Sequence, residues 1–307
     1  MSATASKLGP GIAPYVFVAP FVAVFGAFML GPLIGSIGLS MRATAGPAVS
    51  DFVFLDNFAF LLRDPDFWTA LRNTFIFAAG SVFLQLPLSL ALAMALNSDS
   101  IAGRAFLRLV YFAPVLVGLV FAALLFQIVF EKDTGLLNTA LASFADSARG
   151  WTGLPFSFDP EFPWLTRFVL PALILAALWM YTGFNMVYFL AALQSVDRSL
   201  LEAASIDGAG PWRRFLHVTV PAIRPVGSFV VLLSIIGSMQ LFELPWIMLN
   251  GGPGPDNRGL TIVMYLYQWG FQSGDLGYAA AIGWVLAVIL IVFALAQRTL
   301  SGEKATS

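Results

Sequence analysis

Long apolar runs separated by shorter polar segments are the dominant pattern of this chain. Six runs are long enough to cross a hydrocarbon core about 30 Å thick, which requires roughly 20 mostly apolar residues. Their residues do not alternate with a period of two, so the pattern predicts helices and not a transmembrane barrel. The runs cover residues 14–40, 70–96, 105–130, 167–194, 225–249 and 277–299. We therefore predict an all-α polytopic membrane protein with about six transmembrane helices and a single transmembrane domain over residues 1–307.

Composition and charge narrow the class of protein further. Only 11% of the residues are charged, too few to cover the surface of a soluble body of 307 residues. The formal net charge of −1 argues against a nucleic-acid partner, because the phosphate backbone selects basic surfaces. The chain has no cysteine and one histidine, His217, so we predict neither a metal site nor a catalytic centre built on these residues.

The distribution of basic residues predicts the orientation of the spans. An even number of spans puts both termini on one side, and Lys and Arg are denser in the short segments on that side. Basic residues in short loops favour the cytoplasm, so both termini are predicted to be cytoplasmic. The long loops at 131–165 and 250–276 then face outward. The first run is longer than the apolar part of a secretory signal, and it is predicted to be a retained anchor.

The polar segment between the fourth and fifth apolar runs carries several helix signals. Ser199 and Glu202 have the spacing of a capping box, which predicts the start of a short helix. Gly208 is suited to end that helix with a positive φ, and Pro211 suits the first turn of a second helix. The segment is thus predicted to be a helix, a turn and a helix, with Pro221 ending it before the fifth run.

The same segment, residues 195–221, resembles the EAA signature of bacterial ABC importer permeases. The family pattern is Glu-Ala-Ala, three residues, Gly, nine residues, Ile, one residue and Leu-Pro. Here the spacing is intact, with valine in place of the two aliphatic residues, over Glu202-Ala203-Ala204, Gly208, Val218, Val220 and Pro221. The resemblance extends over most of the chain, including a first span at 14–41 and an outer turn, Leu249-Asn250-Gly251-Gly252-Pro253. It identifies the chain as a permease subunit of a binding-protein-dependent carbohydrate importer of the maltose and glycerol-phosphate type.

This resemblance implies the partners and the cellular location. Such permeases lie in the bacterial inner membrane among lipids, pair with a second, different permease, and receive a sugar from an extracellular or periplasmic binding protein. Two ATP-binding cassette subunits supply the energy, so ATP and Mg²⁺ are expected on those partners. The chain itself has no P-loop lysine and is expected to be non-catalytic and to bind no cofactor. The residues expected to couple to the ATPases, in the cytoplasmic segment 195–221, are Glu202, Ala203, Ala204, Asp207, Gly208 and Pro221.

Helical spacing also predicts where a substrate passes. Polar and aromatic residues recur every three or four positions in the fourth and fifth runs, so each set shares one helix face. Sugars suit such a mixture of hydrogen-bonding groups and rings. The predicted pathway residues are Ala177, Tyr181, Phe184, Asn185, Tyr188, Ser234, Gly237, Ser238 and Leu241. The alternative is that the small residues only permit close helix packing and that the aromatic rings belong to the core.

Two further questions stay open at this point. Glu243 is an ionisable residue near the end of the fifth run. It is either an outer gate, a salt-bridge partner or a side chain exposed at the pathway mouth, and these roles are favoured over direct sugar binding. Three glutamines are suited to hydrogen bonds between helices, and nothing places them in the pathway: Gln85, Gln127 and Gln240.

The functional alternatives are an ion-driven secondary transporter and an intramembrane enzyme. The substrate is expected to be a di- or oligosaccharide, with a polyol or glycerol phosphate also open.

Overall fold

The computed structural model describes residues 13–46, 49–152 and 158–301, and it is mainly helical. Lys7, Lys304 and both termini lie outside the described residues. Contacts divide the chain into two units, each described by itself: Met1–Arg63 with Leu266–Val285, and Asp64–Tyr265 with Leu286–Ser307. The all-α membrane fold predicted from the apolar runs is confirmed. The single transmembrane domain over residues 1–307 stays a prediction.

The elements follow one another along the described chain. The α-helices are α1 (Ala13–Phe25), α2 (Gly31–Ser40), α3 (Asp56–Arg63), α4 (Pro65–Gly80), α5 (Leu86–Asn97), α6 (Arg104–Val117), α7 (Leu119–Val129), α8 (Leu136–Thr152), α9 (Trp164–Arg167), α10 (Val169–Gln194), α11 (Arg198–Ile206), α12 (Pro211–Arg214), α13 (Val220–Met239), α14 (Glu243–Met248), α15 (Ile262–Tyr267) and α16 (Leu276–Ser301). Strands β1 (Arg42–Ala45) and β2 (Val49–Phe52) form an antiparallel hairpin. Turns with π-helical bonding cover Gly26–Leu30, Ser81–Gln85, Phe215–Thr219 and Gln268–Gln272, and a 3₁₀ turn covers Pro255–Asn257.

Among the described residues, five helical stretches are long and apolar enough to cross a membrane. They are Pro14–Ser40, Pro65–Asn97, Val169–Gln194, Pro211–Met239 and Leu276–Thr299. The predicted run 105–130 is not one straight helix, because α6 and α7 meet at an angle of 97°. Gly118 lies between them with φ 87° and ψ 152°, a conformation that glycine adopts without the penalty of a Cβ. If this bent pair counts as one span, the number of candidate spans among the described residues is six.

The predicted boundaries of the fifth run, 225–249, are wrong at both ends. The helix begins at Pro211 and stops at Met239, and the short α14 follows after a break. Pro221 therefore does not end the second helix of the polar segment. It lies in the first turn of α13, directly after the π-helical turn Phe215–Thr219. The segment is a helix and a turn that lead straight into a span.

Three prolines within spans are accommodated by the same local feature, a π-helical turn. Pro32, Pro87 and Pro221 each lie two residues after a π-helical turn. A helical proline lacks the amide donor, and its ring crowds the carbonyl four residues earlier. A π-helical turn changes the bonding pattern, so that the amide of Val220 bonds to the carbonyl of Phe215, five residues back. Local adjustments of this kind let a membrane helix continue past a proline.

Hydrogen bonds fix the hairpin within the first unit. The side chain of Asn57 is buried and donates to the carbonyls of Ser40 and Arg42 at 2.9 and 2.8 Å. Thr44 Oγ1 donates to Asp275 Oδ1 at 3.0 Å, just before the start of α16. These bonds satisfy backbone and side-chain groups where the chain leaves its first span.

Helix α10 is the centre of the second unit, where it contacts α4, α5, α6, α7 and α13. Its face toward α6 carries Gly183, and a Cβ built there would lie 1.7 Å from the carbonyl oxygen of Tyr111. On the side of α5, Ser89 Oγ bonds to the carbonyl of Thr182 at 2.9 Å. Small residues and a backbone-directed hydroxyl thus let the helices approach closely.

The contact at Gly183 predicts a strong effect of a single methyl group. We expect Gly183→Ala to lower the thermal unfolding midpoint of the purified protein, because the methyl would collide with backbone atoms, and overpacking costs about 1–3 kcal/mol. Gly227→Ala is the matched control, since the added Cβ there meets only a ring carbon of Phe189 at 3.9 Å. Equal midpoints for the two variants in detergent would contradict the close approach of α6 and α10.

Candidate functional site

A cavity of about 170 Å³ lies between three spans of the second unit. We name them the second span (Pro65–Asn97), the fourth span (Val169–Gln194, which is α10) and the fifth span (Pro211–Met239). Side chains from all three spans and one residue just beyond the fifth form its walls. They are Phe77, Ser81, Gln85, Ala177, Tyr181, Phe184, Asn185, Leu233, Ser234, Gly237, Ser238 and Leu241.

The cavity lies about halfway along two of these spans. Ser81 is the middle residue of the second span, and Tyr181 stands next to the middle of the fourth. A span of this length reaches from one face of the bilayer to the other at 1.5 Å per residue. The cavity is therefore close to the midpoints of the second and fourth spans.

The structure brings together eight of the nine residues predicted for the pathway. Those from the fourth run and those from the fifth run line the same cavity, as the helical spacing predicted. Tyr188 is the exception. Its ring contacts Phe184 and Phe229, with centroids at 5.3 and 6.1 Å, outside the cavity wall. That these residues conduct a substrate stays a prediction.

Sequence reasoning missed the contribution of the second span. Phe77, Ser81 and Gln85 line the cavity, and Gln85 had not been placed in the pathway. The three positions are four residues apart, so they share one helix face, and the same periodicity could have found them. Gln127 is elsewhere: its Nε2 donates to Asn250 Oδ1 at 2.6 Å.

The polar groups of the cavity are not paired with the protein. Ser81, Gln85, Asn185 and Ser238 are buried, between 2% and 8% exposed. Among the described residues, none of the polar side chains lining the cavity has a hydrogen-bond partner for its side-chain atoms, and these are Ser81, Gln85, Tyr181, Asn185, Ser234 and Ser238.

Buried polar groups in native proteins are nearly always bonded to protein or to water. Ser89 shows the ordinary solution, because its hydroxyl donates to the carbonyl four residues earlier at 2.7 Å. The unpaired groups of the cavity can instead bond to a polar molecule inside it.

Gly237 distinguishes the cavity from a packing contact. A Cβ built on Gly237 meets no atom within 4 Å, whereas one built on Gly80 or Gly183 collides with a neighbouring helix. Close packing therefore explains Gly80 and Gly183 in this chain, and it does not explain Gly237. The absence of a side chain at Gly237 leaves space in the cavity wall.

Glu243 stands apart from the cavity wall. It is the first residue of α14, it is exposed, and it forms no salt bridge with any described residue. A gate at this position stays a prediction.

The first helix of the polar segment, α11, has well-formed ends. Its N-cap is Asp197, whose side chain accepts a hydrogen bond from the Ser199 amide at 2.9 Å. That amide also holds the pKa of Asp197 below its ordinary value, because it stabilises the carboxylate. The predicted capping box of Ser199 and Glu202 is wrong, since the helix begins at Arg198.

The C-terminus of α11 follows the prediction for Gly208. Its φ is +78°. Its amide donates to the carbonyl of Ser205, and the Ala209 amide donates to the carbonyl of Ala204 at 2.9 Å. This pair of bonds is a Schellman motif. Pro211 then begins α12, with Gly210 as the N-cap residue. A tight turn therefore fixes the direction of α11 relative to the span that follows it.

The coupling residues predicted for this segment are accessible. Glu202, Ala203, Asp207, Gly208 and Pro221 are exposed, and Ala204 is half-buried. Apolar side chains are exposed beside them: Leu200 at 54%, Ile206 at 87% and Trp212 at 69%. The segment thus presents a mixed polar and apolar surface.

The family comparison agrees with this arrangement. The family model described as "Binding-protein-dependent transport system inner membrane component" matches residues 85–302. The match covers well over half of the chain, so the chain belongs to this family. It is an inner-membrane permease component of a binding-protein-dependent transport system, as the EAA resemblance predicted.

Individual relatives cover almost the whole chain. The arabinooligosaccharides transport system permease protein AraP of Bacillus subtilis (strain 168) is 38% identical over 95% of this chain and 89% of its own. The lactose transport system permease protein LacF of Rhizobium radiobacter is 35% identical over 94% of both chains. A chain in the crystal structure of a bacterial alginate ABC transporter bound to an alginate pentasaccharide-loaded periplasmic protein has a TM-score of 0.79. It is 23% identical over 98% of this chain and 99% of its own, and this likeness shows the fold.

These findings establish an ABC importer permease and give no support to an ion-driven secondary transporter.

The conformation of Gly208 predicts how substitutions change the end of α11. Gly208→Ala places a Cβ in the left-handed region, which costs roughly 1–2 kcal/mol. We expect faster hydrogen exchange at the amides of Gly208 and Ala209, by about 5- to 30-fold. Gly208→Asn is the control, because asparagine tolerates this conformation. Equal exchange in all three proteins would show that the turn does not depend on a positive φ.

Proposed function

We propose that the chain forms one half of the membrane pathway for a di- or oligosaccharide. The other half is a second, different permease, and an extracellular or periplasmic binding protein delivers the sugar. The relatives named above support this substrate class, since their names specify arabinooligosaccharides and lactose. The observation that carries the proposal is the cavity of unpaired polar groups and aromatic rings between three spans, near the middle of two of them.

The chemistry of the cavity suits a neutral sugar. Hydroxyl and amide side chains provide donors and acceptors for sugar hydroxyls, while Tyr181 and Phe184 offer rings to the C–H faces. No charged side chain occurs among the described residues that line it. A glycerol phosphate would require a cation inside the bilayer, so the lining favours an uncharged substrate.

The size of the cavity supports a site shared between two subunits. Pockets for small molecules usually have volumes of about 300–1,000 Å³. The cavity here, at about 170 Å³, is smaller than this range. It can therefore hold only part of an oligosaccharide, and the facing surface of the second permease is expected to complete the site.

Energy for transport is expected to come from two ATP-binding cassette subunits. In this proposal, ATP and Mg²⁺ bind to those subunits and α11 contacts one of them through the exposed residues around Glu202. The exposed Leu200, Ile206 and Trp212 give that contact its apolar part. The chain contributes no catalytic group and binds no cofactor. Both termini and residues 195–221 then lie in the cytoplasm, and Glu243 is exposed toward the outer mouth, where a gate is expected.

The cavity assignment predicts selective effects of isosteric substitutions. In proteoliposomes containing the complete importer, Gln85→Met and Asn185→Leu should each weaken sugar-dependent uptake by about 2- to 10-fold, since each removes hydrogen bonds worth about 0.5–1.5 kcal/mol. Gln240→Met is the matched control: Gln240 is exposed and lies outside the cavity lining. Uptake with unchanged rate and half-saturation in both cavity variants would remove these residues from the substrate path.

The coupling assignment is tested separately by reversing one charge. Glu202→Lys should release the ATPase subunits during purification and reduce sugar-stimulated ATP hydrolysis at least about tenfold, because an unpaired charge at a buried contact costs about 2–5 kcal/mol. Glu161→Lys reverses the charge of an exposed glutamate in the loop at 131–165 and should leave the complex intact. If Glu202→Lys copurifies with the ATPases at the wild-type ratio, α11 is not the contact.

A further inference from the structure

A second cavity, of about 320 Å³, lies where the ends of α5 and α10 meet the starts of α6 and α11. It belongs to the second unit and is separate from the cavity between the spans. Its walls are mainly polar, and the side chains that matter here are Asn97, Asp99, Arg104, Arg108, Gln194 and Arg198. Nothing in the proposed transport cycle uses this cavity.

The charges around this cavity are unbalanced. Arg104 forms a salt bridge with Asp99. Arg108 and Arg198 have no carboxylate partner among the described residues. Three guanidinium groups therefore face one carboxylate, which leaves an excess of two positive charges.

Arg108 is half-buried, and its hydrogen bonds are only partly satisfied by the protein. Its Nη2 donates to the carbonyl of Leu96 at 2.6 Å, but its Nε is buried and has no acceptor among the described residues. A buried donor without a partner is uncommon in native proteins, more so when it carries charge. An acceptor from outside the chain would satisfy it.

The dipole of α6 adds to the same field. Arg104 and Arg108 lie in the first two turns of α6, which has no side-chain cap. Arg198 begins α11, whose N-terminus is already capped by the Asp197 carboxylate. Cations are unfavourable at the N-terminus of a helix, where anions are stabilised. The cavity thus combines the positive end of α6 with arginine side chains that suit a multidentate oxyanion such as phosphate.

We propose that this cavity binds a phosphate-bearing anion. The arginines would contact its oxygens. The side-chain amides of Asn97 and Gln194 have no hydrogen-bond partner among the described residues, and they would donate to the remaining oxygens. Two sources share this chemistry: the headgroup of an anionic phospholipid in the adjacent leaflet and a free phosphate compound. Bound between α6 and α11, the anion holds the coupling helix against the ends of the spans. This consequence for coupling rests on the proposed function, whereas the binding does not.

Anion binding is tested with the purified full-length chain by thermal unfolding. One arm titrates inorganic phosphate into protein held in phosphatidylcholine nanodiscs. The other compares phosphatidylcholine nanodiscs with nanodiscs that also contain phosphatidylglycerol. We expect a higher unfolding midpoint in at least one arm. A response to phosphatidylglycerol alone assigns a lipid headgroup, and a response to inorganic phosphate assigns a free anion.

Variants separate this site from general electrostatics. Arg108→Gln and Arg198→Gln should each weaken the response at least about tenfold, since a hydrogen bond to a charged group contributes at that level. Arg149→Gln removes a positive charge from α8 and should respond as the wild type does. The proposal is overturned if neither anion shifts the wild-type midpoint, or if Arg149→Gln loses as much of the response as the cavity variants. Sugar and nucleotide are absent throughout, so a failed transport assignment would not alter the result.

Discussion

The hydrocarbon of a bilayer offers no hydrogen-bond partner to a backbone amide or carbonyl, so every span of this chain must satisfy its own backbone. The prolines show how strongly this constraint acts. Pro32, Pro87 and Pro221 each remove a donor from a helix, and each follows a π-helical turn that redirects the neighbouring bonds. The helices continue through all three positions. Gly118 shows the other outcome, because a residue outside the helical region separates α6 from α7 and turns the chain by 97°.

The same constraint divides the buried polar side chains into two groups. Thr74 and Ser89 donate to carbonyls within their own helices, at 2.8 and 2.7 Å, and they also contact a second segment. They stabilise the packing of the spans. The polar groups around the central cavity do neither, although Ser81 is only 2% exposed. Unpaired polar groups in a low-dielectric interior lower the stability of the fold. Such a cost is expected at a functional site, where the groups bind a passing molecule.

Sequence patterns were sufficient for the class of fold, because apolar length and helical period depend on local composition. They also grouped the residues of the fourth and fifth runs that line one cavity. They failed where tertiary contacts decide between local alternatives. Asp197 and Ser199 both suit an N-cap, and the chain uses Asp197, which directly follows the buried Val196. The face with Ser81 and Gln85 was missed because a lone serine or glutamine in an apolar run does not show which neighbour it faces.

The corrected path of the fifth span changes how movement can pass through the molecule. A helix that ended at Pro221 would leave a joint between the polar segment and the span. The observed helix instead runs unbroken from Pro211 to Met239, and at 1.5 Å per residue it links the turn after Gly208 to Ser238, about 40 Å away. In the proposed mechanism a displacement of α11 is carried by this helix to the wall of the sugar cavity without an intervening hinge. Leu201 of α11 packs against the buried cluster that contains Leu193 and Val196. The Schellman turn at Gly208 then joins α11 to the fifth span in a fixed direction, so that a displacement of α11 reaches the span.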